Sequence, residues 1–458
     1  MTTVIPVRLS TQFRPRLFKP RHVVLFWCTI VAFNFCLAPL SAQEFFTLKG
    51  HGGPIKGIDA APDGTIVTAS FDNSVGLWRD GSAHWMEEHT AAVNAVAYLE
   101  GSRVVSAGDD FSVRLWDAQN AKTHLLGHHQ AKVIQLAMAP DGERVASASW
   151  DRTARIWSVN QNTPPVEISG HLNTVNDVAF SPDGNRLYTA SSDGTIRISN
   201  SETGAFEQRL VEHGFGINMI VVAQDETWLA YGAVDGTTRI VSLPDGVEMR
   251  DFTADRRPVL AMSYHPKLER IAVGDAHGYI MMIDTQRWRI VDDFRATLSG
   301  PIWALRFSPN GDNIHAGGLD NAMYSWPVAQ LDRQKAMTDT DRSFLKNPEE
   351  MSNGERQFQR KCSICHTLGP DSERRAGPTL YGLFGRPAGT VKTYPYSPTL
   401  ETAQLIWSES TVDRLFDIGP DHFIPGSKMP MQRITVQTDR DDLIAFLKAA
   451  TKSDPGTP

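Results

Sequence analysis

Apolar and polar positions alternate in short runs through the middle of the chain and give way to a three-and-four spacing near its end. Alternation with period two puts one face of an extended segment into a core, so each run reads as a half-buried strand. The runs recur. An Asp stands six residues ahead of a Trp in three of them, Asp72 with Trp78, Asp110 with Trp116 and Asp151 with Trp157. The same register continues through Asp193 with Ser199, Asp235 with Val241, His277 with Ile283 and Asp320 with Trp326. The leading positions lie 38, 41, 42, 42, 42 and 43 residues apart, which gives seven units of about forty residues. Each holds three or four short strands, broken by turn signals such as Pro62-Asp63-Gly64, Pro140-Asp141-Gly142, Pro182-Asp183-Gly184 and Pro309-Asn310-Gly311. The last unit offers only three strands, over 302–307, 313–317 and 322–328. Residues 45–48 stand ahead of the first unit, where they can complete the last sheet and remove two open edges.

The two ends read differently. Residues 329–349 are rich in Asp, Arg, Lys, Gln and Thr and read as a polar linker. A helical pattern follows, with Gly354 four residues ahead of Phe358 and an amphipathic segment over 440–447. Residues 453–458 form a short tail. At the other end, Arg8, Arg14, Arg16, Lys19 and Arg21 precede an apolar run over 23–40, with no acidic residue, and Leu40-Ser41-Ala42 follows as a cleavage site. Residues 1–42 therefore read as a cleaved secretory signal peptide, which makes the protein exported and, in a bacterium, periplasmic. The alternative is a retained anchor facing the periplasm, since 18 apolar residues just suffice to cross a bilayer. An Arg-rich organelle transit peptide is a third option.

The 458 residues call for more than one domain. Charge sharpens the division: residues 43–340 carry 25 basic against 37 acidic groups, so nucleic acid is an unsuitable partner for them. Of the four cysteines, Cys28 and Cys36 fall in the apolar leader. Its removal leaves Cys362 and Cys365 as the remaining pair, with no disulfide framework to claim them.

That pair carries the candidate chemistry. In Cys362-Ser363-Ile364-Cys365-His366, two thiols three apart can add across the vinyl groups of a haem, giving one covalently bound haem c. His366 then becomes the proximal iron ligand. Downstream, Pro425-Gly426-Ser427-Lys428-Met429 can present Met429 as the distal iron ligand, which fills both axial positions and suits a one-electron carrier. A redox dithiol or half of a zinc site is opposed by the adjacent histidine and by the lack of a second Cys pair. Met431 is a rival sulfur and His422 a rival imidazole.

These motifs carry two resemblances. The repeats resemble the WD-repeat β-propeller, whose Gly-His elements match Gly50-His51, Gly127-His128 and Gly170-His171, with Glu88-His89 and Glu212-His213 as variants. That family implies a hydrogen-bonded chain of His, hydroxyl, Asp and Trp, carried in the fourth repeat by His171, Ser191 and Asp193, with Ser199 in place of the Trp. The fifth and sixth repeats lack the Trp too. Residues 350–452 resemble class I cytochromes c of the mitochondrial and bacterial soluble type. The expected fold is a multidomain chain, an all-β seven-bladed propeller over 43–328 followed by an all-α cytochrome c domain. The resemblance implies that the Pro378 carbonyl accepts from His366, that Tyr396 and Trp407 reach a haem propionate with Arg386 close by, and that Gly354 lets the terminal helices cross beside Phe358 and Phe446. Leu415 departs from it, standing where relatives often carry a tyrosine. The implied function is electron transfer, with no catalytic residues, between redox partner proteins that dock through the propeller. A catalytic propeller coupled to the haem and a haem-based sensor are the alternatives.

Overall fold

The computed structural model describes residues 44–331 and 351–452, apart from 121, 161–162, 244, 254–257, 364, 371–374, 376 and 430–431. The leader, most of the linker, the tail and Met431 lie outside the described residues. No helix among the described residues is long and apolar enough to cross a membrane.

Residues 46–327 form seven four-stranded antiparallel sheets, each built from consecutive strands except the last. The seventh sheet takes Ile302–Phe307, Asn313–Gly318 and Ala322–Pro327 and borrows Phe46–Lys49 as its outer strand, with Phe46 opposite Ser325 and Lys49 opposite Ala322. The chain start thereby closes the ring, as its place in the repeat register implies. Val328–Gln330 adds a 3₁₀ turn, and Leu331 is buried on the seventh sheet's core. The innermost strands are also stitched across blades. Asn94, Asn176 and Asn218 donate through Nδ2 to the carbonyls of Val133, Ile217 and Val259 in the following blades, at 2.9, 2.8 and 2.8 Å.

The repeated polar residues are structural. His51 bonds Asp72 at 3.0 Å and Thr68 at 2.6 Å, and the Trp78 indole donates to the same Thr68 hydroxyl at 2.7 Å. His89, Asp110, Ser106 and Trp116 repeat this in the second blade. Two assignments are corrected. In the third blade the histidine is His129, at 2.8 Å from both Asp151 and Ser147, and not His128, which is exposed. In the fourth the hydroxyl is Thr189, at 2.8 Å from His171, while Ser191 accepts the Asp193 N–H at 3.0 Å. One spacing explains both: the histidine lies four residues ahead of the inner strand, and the hydroxyl four ahead of the Asp, whatever the preceding glycine does.

Burial works against charge on Asp151, yet hydrogen bonds from His129, Gln130 and Thr153 hold it well below the usual carboxylate range. His129→Ala should therefore cost about 2–4 kcal/mol of propeller stability, and His128→Ala no more than about 0.5, in denaturant unfolding.

Asp177 makes a different seam. Its carboxylate accepts from Val178 N at 2.9 Å and from Ile220 N of the next blade at 2.8 Å. The equivalent Asp59 accepts from Tyr98 N and also pairs with Arg306 at 2.9 Å. Burial pushes Asp177 up to about 7, with the two backbone donors pulling the other way. A raised folded pKa means the protonated form is the one the fold prefers. That contribution is fully present below about pH 4 and lost as pH rises to about 7, at up to roughly 1.4 kcal/mol per unit. Urea midpoints between about pH 5 and about pH 8 should fall in the parent, and Asp177→Asn should flatten the slope.

The regular elements described between residues 352 and 451 are helices. They are α1 (Asn353–Lys361), α2 (Pro398–Glu401), α3 (Glu409–Ile418), α4 (Pro420–Phe423) and α5 (Gln437–Ala450). Ser352 caps α1 by accepting from Glu355 N, and Ser408 with Thr411 forms a capping box on α3. α1 crosses α5 at Gly354, where an added Cβ would stand 2.0 Å from the Asp442 carbonyl oxygen. Phe358 and Phe446 pack beside the crossing with ring centroids 5.6 Å apart. Arg440, almost fully buried in α5, ties α3 through Asp413 at 2.7 Å and also donates to the Ile434 carbonyl.

Candidate functional site

The chain leaves α1 in a tight turn: Cys365 N and His366 N both donate to the Cys362 carbonyl, at 3.0 and 2.9 Å. This turn sets the spacing of the two thiols and the imidazole. A second loop is stitched on by Gly377 N to the Cys365 carbonyl and Leu380 N to the Thr367 carbonyl, at 2.8 and 2.9 Å. It carries Pro378, whose carbonyl accepts from His366 Nδ1 at 2.7 Å. That bond leaves Nε2 as the nitrogen with a lone pair to give. Gly377 lies flat against the same ring, and an added Cβ there would stand 2.4 Å from His366 Cε1. Burial holds the imidazole below its usual pKa, against the Pro378 bond and together with the Arg386 charge.

Cys362 is buried and Cys365 half-buried, and both are free. Burial pushes the Cys362 thiol up to about 12 and the Cys365 thiol up to about 11.

Arg386 braces the proline loop from below, donating to the carbonyls of Tyr381 at 2.6 Å and Thr379 at 2.8 Å. A backbone ladder, Gly385 N to the Trp407 carbonyl and Trp407 N to the Arg386 carbonyl, brings Trp407 alongside. Tyr396 packs edge-on against Tyr394 at 4.9 Å. Its phenol is pushed up by burial, with the Val391 backbone and the Arg386 charge pulling it down. Ser397, next to it, is buried with a hydroxyl that has no hydrogen-bond partner.

Met429 is half-buried on the apolar cluster that also holds Cys362, Leu415, Phe416 and Trp407. Its run folds back through Ser427 N to the Ile424 carbonyl, and Lys428 Nζ donates to the Pro395 carbonyl at 3.1 Å, beside the Tyr396 loop. His422 is exposed on α4. The candidate residues named from the sequence thus fall on the Cys-x-x-Cys-His turn, the Pro378–Arg386 loop, the Tyr396 loop and an apolar wall that holds Trp407 and Met429. Ser397 and the ring contact of Gly377 were not singled out there. A serine before a proline is ordinary, and only the missing partner in the fold marks it.

These residues fit a haem. The imidazole is oriented with one nitrogen committed, two thiols sit in a turn, and Met429 packs from another loop on the cluster that holds Cys362. Gly377 keeps space at the ring that any side chain would fill.

Comparison with known proteins agrees. The family described as "WD domain, G-beta repeat" matches residues 42–79, 82–117, 120–158, 162–199 and 292–326, and the family "Cytochrome c" matches 351–451. The matched repeats skip the fifth and sixth blades. There the Trp is absent, His213 stands 3.3 Å from Asp235, and Asp275 accepts from His277 N and Tyr279 N instead. Among curated relatives, the protein "Cytochrome c" of Sesamum indicum is 41% identical over 106 residues, 23% of this chain and 93% of its own length. That of Cannabis sativa is 39% identical over 106 residues (23% and 93%), and that of Gibberella zeae 35% over 103 (22% and 96%). Similarity to these carriers supports a haem-binding, electron-carrying role for the C-terminal domain.

Proposed function

Because the chain belongs to the cytochrome c family through residues 351–451, behind a seven-bladed WD-repeat propeller, we propose that it is an exported single-haem electron carrier whose propeller docks a redox partner. A haem c supplies the one-electron couple. Cys362 and Cys365 hold it by thioether bonds, His366 is the proximal ligand and Met429 the distal one.

The observation that carries this reading is the 2.7 Å bond from His366 Nδ1 to the Pro378 carbonyl over Gly377. It fixes the ring orientation, makes Nε2 the donor and raises its basicity. Arg386 would offer charge, Tyr396 and Ser397 hydroxyls and Trp407 its indole N–H to propionates, which need such partners when buried. Export rests on the leader over 1–42, and the periplasm is the corresponding compartment. Docking rests on the propeller's surface. Phe111, Trp150, Leu172, Phe215, Val234 and Leu298 are exposed, and all lie in turns at one end of the blades. Six exposed apolar side chains at one end of the blades suit a protein partner, while Leu125, Phe206 and Ile290 are exposed on outer strands and Val247 at the opposite end.

Exposure of the reduced protein to carbon monoxide tests the carrier reading. Resistance is expected when both axial sites are filled. Rapid binding would instead favour a sensor or an enzyme.

A further inference from the structure

The corners of the blades are built alike, and one of them is different. In the first four blades the residue after the repeat histidine donates its N–H to the repeat Asp: Gly52 to Asp72 at 2.7 Å, Thr90 to Asp110 at 3.1 Å, Gln130 to Asp151 at 3.0 Å and Leu172 to Asp193 at 2.9 Å. Thr90, Gln130 and Leu172 are exposed, Leu172 by 82%. Gly52, Gly53 and Pro54 are all buried.

What covers Gly52 is the cytochrome domain, while Gly53 packs on Phe71 and Asp72 of its own blade. A Cβ added at Gly52 would stand 2.3–2.4 Å from the backbone N, Cα and C atoms of Arg375, on the loop that follows the Cys-x-x-Cys-His turn. Asp72, which accepts the Gly52 N–H at 2.7 Å, and Arg375, whose backbone lies against Gly52, put side chains of opposite charge at the seam.

We propose that the first-blade corner Gly52-Gly53-Pro54 is the seat of this chain's own haem-attachment region, so that the propeller covers one side of the carrier it is fused to. The place of the haem in this inference rests on the function proposed above; the seat itself does not. The geometry has a consequence for partners. The exposed apolar turns lie at the same end of the propeller as this corner, so a protein held there meets the carrier from beside blade 1 and not across it. Glycine at 52 is then a requirement of the seat and not of the blade, because the equivalent corners carry Thr, Gln and Leu.

Gly52→Gln copies the residue of the third-blade corner and should leave the blade intact while displacing Arg375. In the full-length holoprotein, amide exchange at Gly52 should be about tenfold slower than at Thr90, Gln130 and Leu172, despite the shared hydrogen bond. In Gly52→Gln that excess protection should vanish at residues 52 and 53 and the radius of gyration by X-ray scattering should rise, with circular dichroism unchanged. Leu172→Gln, at an uncovered corner, should change neither. Equal exchange at all four corners, or an unchanged radius and unchanged protection in Gly52→Gln, would overturn the proposal. The haem spectrum is recorded on the same samples, so loss of the ligation reading is scored separately from loss of the seat.

Discussion

Gly354→Ala is expected to destabilise the helical domain nearly as much as Gly354→Val, because the first added carbon already collides. That carbon would stand 2.0 Å from the Asp442 carbonyl oxygen, 2.7 Å from its carbon and 2.8 Å from Phe446 Cβ. Two of the three obstacles are backbone in the middle of α5, which cannot move without breaking its ladder. α5 must shift as a body, and Phe358 then loses its packing on Phe446. Overpacking of this kind costs about 3 kcal/mol or more, a large part of the stability of a domain of about a hundred residues. The domain's melting transition should fall by more than about 10 °C while the propeller's stays in place. A Gly354→Ala variant that melts with the parent would show that α1 and α5 do not meet this closely.

Met429→Ala is expected to change the chemistry and spare the fold. Met429 is only half-buried and packs on the cluster whose buried members include Phe358, Leu415, Phe416 and Leu443. A thioether on iron favours the reduced state, so its loss should lower the reduction potential by on the order of 100 mV or more. The same change should turn a reduced protein that resists carbon monoxide into one that binds it. His422 is exposed on α4 and Met431 is two residues away in sequence, so each is a possible substitute ligand. Met429→Ala with the parent's potential would mean that another residue holds the distal position.

The architecture was legible because it repeats. Six Asp and one His at a shared register position, 38–43 residues apart, and a strand-like segment ahead of the first, were enough to give the ring and its closure by Phe46–Lys49. Within a repeat the sequence left choices that only register resolves. Gly127-His128-His129 offers two histidines, and the turn into the inner strand selects His129. Thr189 and Ser191 lie two apart on one strand and so share a face, and four residues to Asp193 selects Thr189.

At the site, Cys362, Cys365, His366 and Pro378 were legible because short motifs build them, and the hydrogen bond between His366 and Pro378 forms as the resemblance implies. Arg386 was expected near an acid group, and its guanidinium is engaged by the Tyr381 and Thr379 carbonyls. What no motif encodes are relations across the fold. The orphaned Ser397 hydroxyl and the burial of Gly52 each depend on what the rest of the chain brings beside them.

One absorbance spectrum bears most directly on the whole account. The oxidised holoprotein should show a weak sulfur-to-iron charge-transfer band near ~695 nm, and the band should be missing from Met429→Ala. A parent without that band, whose spectrum Met429→Ala leaves unaltered, would contradict iron held between His366 and Met429.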